Sequence, residues 1–193
     1  MKVLVSDFDG TLAQVPINWL EVKVKLSNVL GYEVTSIFEA LRSTRARDEE
    51  LYAKISRLIE EYEVNAANKA EEMRGARELL KLFKSKGVKI AIVTLQSKRG
   101  LNILLEACGL KPYIDVYVTR DEELYRAEQI RIALRKLGAE IGRDLVVFMG
   151  DRPTDLEAGR SLGIPTIIIG STVPTPLDAI SLIARELKLD EGP

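Results

Sequence analysis

Short apolar runs constrain this chain most: Val3-Leu4-Val5, Ile90–Val93, Leu145–Phe148 and Thr166–Ile169, separated by stretches of helical periodicity. A strand that is apolar on successive residues must be covered on both faces. Strands of this kind alternating with helices imply a parallel sheet with right-handed crossovers. Strands are expected near 2–6, 88–94, 114–118, 145–149 and 165–169, and helices near 75–86, 98–108, 127–137, 154–162 and 176–188. Gly87, Gly109, Gly138 and Gly163 stand where four of these helices should stop. The expected fold class is α/β, a Rossmann-like three-layer sandwich around a parallel sheet.

Residues 14–73 break that rhythm. They show no convincing strand, only three apolar sets at helical spacing: Trp19, Val22, Leu26, Val29 and Leu30; Ile37, Phe38 and Leu41; Leu51, Ile55, Leu58, Ile59 and Tyr62. An all-helical insert is expected there, hinged near 14–16 and 66–72, with 1–13 plus 74–193 forming the α/β unit. A length of 193 residues suits one core and a small module.

Composition narrows the chemistry. The net charge of −1 gives no reason to expect nucleic acid or an anionic membrane as partner. No leader is visible and no apolar run reaches membrane-spanning length. The single cysteine excludes an internal disulfide, so the reducing cytoplasm is the expected location. Cys108 falls in line with Leu101, Leu104 and Leu105 and is read as core. The chain has no histidine, which excludes Ser-His-Asp and Cys-His catalysis. Oligomeric state leaves no trace in the sequence.

Two acidic clusters stand at strand ends. Asp7-Phe8-Asp9-Gly10-Thr11 follows the first apolar run, and Gly150-Asp151-Arg152-Pro153-Thr154-Asp155 follows Leu145–Phe148. Side chains two apart on a strand point the same way, so Asp7 and Asp9 can share a cavity, where they repel unless a cation or a shared proton relieves them. The plainer readings are an Asp-Gly turn at the first cluster and helix capping by Asp155 at the second. A parallel sheet places such strand ends side by side, and four acids there make a plausible Mg²⁺ site.

These motifs, with Thr94 ending the run Ile90–Val93, resemble the haloacid dehalogenase-like superfamily of phosphohydrolases. Gly150 to Thr166 looks especially like the phosphoglycolate phosphatase-type branch. The resemblance implies a helical cap of the C1 type over residues 14–73, Mg²⁺ as cofactor and a small phosphorylated metabolite as substrate. It implies metal ligation by Asp7, the Asp9 backbone carbonyl and Asp151, with Asp155 binding or orienting the metal. Asp7 would attack phosphorus and Asp9 would act as general acid and base. Backbone around Phe8–Gly10, with Thr94 and Leu95, would hold the phosphoryl group.

One family element is missing. A lysine normally precedes the helix before the second acidic cluster, and counting back from Leu137-Gly138 puts that column near Leu124. No lysine occurs between Thr119 and Ile130. Arg126 is the first candidate to replace it, with Arg120 and Lys98 behind it. Asp9 favours phosphoryl transfer over dehalogenation. A phosphomutase or phosphotransferase, or a non-catalytic binding protein, remains the alternative. Arg42, Ser43, Thr44, Arg45 and Arg47 are expected in a loop between insert helices, as a solvated face or as the rim meeting an acidic substrate. Trp19 and Tyr52 are read first as packing of the insert.

Overall fold

The computed structural model describes residues 1–189. Strand β1 (Lys2–Ser6) is followed by a two-residue strand β2 (Ala13–Gln14), helices α1 (Trp19–Leu30), α2 (Ile37–Arg45) and α3 (Glu49–Ala66), and a second two-residue strand β3 (Glu71–Glu72). Then α4 (Ala76–Ser85), β4 (Lys89–Val93), α5 (Lys98–Ala107), β5 (Val116–Val118), α6 (Arg126–Leu137), β6 (Leu145–Gly150), α7 (Pro153–Leu162), β7 (Thr166–Ile168) and α8 (Pro176–Glu186) alternate. The larger sheet runs β5-β4-β1-β6-β7, every pair parallel. The result is the three-layer α/β sandwich expected from the apolar runs.

The period-two geometry of the strands splits their side chains between two cores. Val3, Val5, Ala91, Val93 and Phe148 pack with α6 and α7. Leu4, Ile90, Ile92, Val147 and Met149 pack with α4, α5 and α8. Each large side chain fully buried in this way contributes on the order of 1.5–3 kcal/mol. Cys108 is buried in the second of these clusters, as read from its helix face.

Helices α1–α3 build a third cluster from Val22, Leu26, Leu41, Ile55 and Ile59, which Leu124 joins from outside the three helices. Each begins on a capping side chain: Asn18, Ser36 and Asp48 accept the N–H groups of Glu21, Glu39 and Leu51. Helices α6 and α7 stop at Gly138 and Gly163, both left-handed, as the sequence indicated.

Three expectations need correction. First, the segments read as strand-free hinges contain the antiparallel pair β2–β3, with Ala13 opposite Glu72 and Gln14 opposite Glu71. Two-residue strands are too short to show alternation, and Glu is a poor strand former, so tertiary pairing decides them. Second, Arg42–Arg45 form the last turn of α2 rather than a loop. Third, β5 starts at Val116 because the Asp115 carboxylate, not a strand carbonyl, receives the Ile90 N–H at 2.8 Å.

The α1–α3 layer is tied to the sheet by Arg120, which follows β5 and is fully buried. Its guanidinium pairs with Glu63 and donates to the Ser56 hydroxyl and carbonyl of α3 at 3.0 and 2.8 Å. It also donates to the Leu95 carbonyl at 2.9 Å. In return, Arg45 and Tyr52 donate to the Arg120 carbonyl. Arg120 is thus a fastener between layers, and its candidacy for the phosphate site is withdrawn. No helix among the described residues is long and apolar enough to cross a membrane.

Candidate active site

The register puts three strand ends at one place. Ser6 lies opposite Ile92 of β4 and Met149 of β6, so the residues just beyond, Asp7, Thr94 and Asp151, share the carboxyl edge of the sheet. Asp7 is buried; its Oδ1 accepts the Phe8 N–H at 2.7 Å and its Oδ2 lies 3.0 Å from Arg126 Nη2. Oxygens of Asp7, Asp151 and Asp155 all lie within 4.8 Å of one another.

Arg126, the first residue of α6, pairs with two of these three carboxylates. Its Nε donates to Asp155 Oδ1 at 2.8 Å, and its Nη1 donates to the Val93 carbonyl and the Gln129 side chain. Lys98 is exposed and its backbone N–H, not its ammonium, is engaged, with Asp121. Of the three basic candidates, the structure brings Arg126 alone to Asp7.

Asp155 is fully buried with both oxygens in use. Oδ2 accepts the Asp151 and Arg152 N–H groups at 3.2 and 3.1 Å, a capping role at the start of α7. Asp151 Oδ1, by contrast, is buried with no hydrogen-bond partner among the described residues. Gly10, at φ +77°, is required beside it: a Cβ there would fall 2.3 Å from Asp151 Oδ2. Clustered carboxylates with an orphaned oxygen suit a hard cation with oxygen ligands.

The sequence-derived phosphate cradle is only partly available. The Phe8 N–H is spent on Asp7 and the Gly10 N–H on the Ala13 carbonyl. Asp9 stands outside the three-carboxylate cluster; its Oδ1 accepts the Val15 N–H at 3.0 Å, just past β2. Thr94 is buried, its hydroxyl accepting the Gln96 N–H at 3.2 Å.

Burial pushes the Asp7 carboxyl up to about 7; Arg126 opposes this and Asp155 and Asp151 reinforce it. Burial also raises Asp9 and Asp151. For Arg126, burial disfavours the charge but Asp7 and Asp155 more than compensate, and the group is held above its ordinary value.

The family profile for haloacid dehalogenase-like hydrolase matches residues 4–169. The chain belongs to that family. A phosphoglycolate phosphatase of Rhodospirillum rubrum is 26% identical over 193 residues, covering 87% of this chain and 79% of that one. Pyrophosphatase PpaX of Bacillus pumilus is 32% identical over 92 residues, 46% of this chain and 42% of that one. A hydrolase from Pseudomonas syringae shares the fold, with a TM-score of 0.72 at 22% identity over 96% of this chain and 99% of that one.

In the present chain a cavity of about 410 Å³ opens on Asp7, Asp9, Thr94, Leu95 and Arg126. The α1–α3 layer supplies much of the remaining wall, with Trp19, Lys23, Phe38, Leu41 and Ile59. Trp19, read as packing of the insert, therefore also faces the site. Tyr52 is absent from this lining and binds the Arg120 carbonyl instead. The sequence reading missed Lys23, Arg152 and Gln96, all lining residues. Gln96 and Arg152 left a signal, as polar residues two beyond Thr94 and next to Asp151, whereas Lys23 left none.

Proposed function

We propose that this protein is a Mg²⁺-dependent phosphatase that hydrolyses a small phosphomonoester through an aspartyl-phosphate on Asp7. The observation that carries this reading is the Asp7 carboxylate, which lines the cavity, lies 3.0 Å from Arg126 and clusters with Asp151 and Asp155. A bound Mg²⁺, held by Asp7, Asp151 and the Asp9 carbonyl, would neutralise charge between carboxylate and phosphate. The orphaned Asp151 oxygen supports that ligand set.

Asp7 attacks phosphorus, a P–O bond forms to its carboxylate, and the bond to the leaving oxygen breaks. Asp9, kept protonated more readily by its burial, gives its proton to that oxygen. It then takes a proton from water as that water attacks the acyl phosphate, releasing inorganic phosphate and restoring Asp7. Arg126 fixes the Asp7 rotamer and offers charge to the phosphoryl oxygens, the place left by the missing lysine. Thr94 and the Leu95 backbone contribute from the β4 side.

Residues 14–73 act as the cap, excluding water over the core of 1–13 plus 74–193, with β2–β3 as the joint. Relatives named for phosphoglycolate and pyrophosphate support a small phosphorylated metabolite as substrate. The unpaired, buried Cys108 supports a cytoplasmic setting. The test is turnover of para-nitrophenyl phosphate: activity should vanish on chelation and return with Mg²⁺. Equal rates with and without chelator would contradict the reading.

A further inference from the structure

Gln96 lines the cavity, is 4% exposed, and has no hydrogen-bond partner for either its amide oxygen or its amide nitrogen among the described residues. A buried amide left unpaired costs the free protein stability, which a leucine of similar size would not. The hydrolytic steps do not use it, since the phosphoryl group meets Asp7, Asp9, Thr94 and Arg126. Elsewhere the cavity wall combines the apolar and aromatic side chains of Trp19, Ile37, Phe38, Leu41 and Ile59 with the polar and charged residues Lys23, Thr35, Ser36, Glu63 and Arg152. A volume of about 410 Å³ is in the range that holds a whole small-molecule ligand, not a phosphoryl group alone.

We propose that Gln96 is a specificity-determining residue that reads the substrate's leaving group. That group is a ring system bearing a hydrogen-bond donor beside an acceptor, as a carboxamide or a nucleobase edge does. The donor–acceptor pattern follows from the amide, which offers one of each in a plane. The ring follows from Trp19 and Phe38, the two aromatic residues that line the same space. Docking would satisfy the amide only for the correct substrate, the arrangement that discriminates most strongly against an analogue lacking the polar group. This inference rests on the phosphatase reading and narrows its substrate class.

The test compares kcat/KM for phenyl phosphate and para-carbamoylphenyl phosphate in the native protein and in Gln96→Leu. A nucleoside monophosphate, phosphoglycolate and pyrophosphate complete the panel. The intrinsic reactivities of the two aryl esters cancel when the ratio is compared between proteins. The preference for the carbamoyl ester should fall on the order of tenfold in Gln96→Leu, mainly through KM. The thermal midpoint of the free variant should rise. The nucleotide arm separates a nucleobase edge from a carboxamide as the group recognised.

Equal losses on both aryl esters, or a lower thermal midpoint, would overturn the assignment. So would a preference for phosphoglycolate or pyrophosphate that disappears in Lys23→Ala, since the wall would then read a second anion. Failure of the native protein to hydrolyse any of the five would remove the phosphatase reading itself, and this proposal with it.

Discussion

Arg126 is the residue on which the site turns. One guanidinium meets the Asp7 carboxylate at 3.0 Å and the Asp155 carboxylate at 2.8 Å, in a place where neither acid has bulk water to fall back on. Removing one partner of such a group leaves uncompensated charge, which costs on the order of 3–5 kcal/mol. Arg126→Ala should therefore lower thermal stability and cut kcat/KM by about 10²-fold or more. Arg126→Lys restores the charge but not the fork that spans both acids, so its activity should lie between the two. Lys98→Ala should stay within about twofold of the native protein, since Lys98 is exposed and outside the cavity. A larger loss in Lys98→Ala than in Arg126→Ala would put the phosphate-binding cation on the β4–α5 loop. At this scale the sequence was informative where spacing carries geometry: Asp7, Thr94 and Asp151 follow directly from strand ends. It could not show that Asp155 has both oxygens engaged, or that Gln96 has neither amide atom paired among the described residues, because hydrogen-bond partners are a tertiary fact.

Between elements, the contact that matters most is the one Arg120 makes between the segment after β5 and helix α3. Arg120 is fully buried among Glu63, Ser56 and the Leu95 carbonyl, whereas Arg99, which reaches Glu60 of the same helix, has a side chain 70% exposed. Arg120→Ala should lower stability by about 3–5 kcal/mol in denaturant titration, and Arg99→Ala by under about 1 kcal/mol. Comparable losses would mean that the buried pair is solvated and the layers are held by apolar packing alone. Asp48→Ala removes the cap of α3 and should cost about 1 kcal/mol with little change in turnover. The helices of this layer were legible from their 3.6-residue spacing. The strands that join them to the core were not, because a two-residue ladder leaves no periodicity to read. The basic run from Arg42 was misplaced into a loop for a related reason: its polarity marks exposure, and an exposed helix end and a loop share that property.

For the whole molecule, the parallel sheet was written in the apolar runs, since strands covered on both faces have few other arrangements. The chain's first residue is also built into it. The N-terminal ammonium donates to Asp144 Oδ1 at 2.6 Å, Arg143 and the Glu140 N–H donate to Oδ2, and β1 and β6 pair alongside. These contacts, the ammonium foremost, hold the Asp144 carboxyl well below the usual carboxylate range. A depressed pKa means that the folded form binds fewer protons than the unfolded one just below about pH 4. The stabilisation is therefore complete above that pH and drains away as the pH falls. Asp144→Asn should destabilise the protein near neutrality, and the gap to the native protein should close in acid. A gap that is constant with pH would mean the side chain acts by shape, not charge.

In the proposed reaction Asp7 carries the phosphoryl group. Rapid acid quench during turnover of an aryl phosphate with Mg²⁺, followed by mass spectrometry of the digested protein, tests it most directly. One added phosphoryl group is expected on the peptide containing Asp7, absent from Asp7→Asn, which should be inactive with its fold intact. Undiminished turnover in Asp7→Asn, or a phosphoryl group on any other residue, would contradict it.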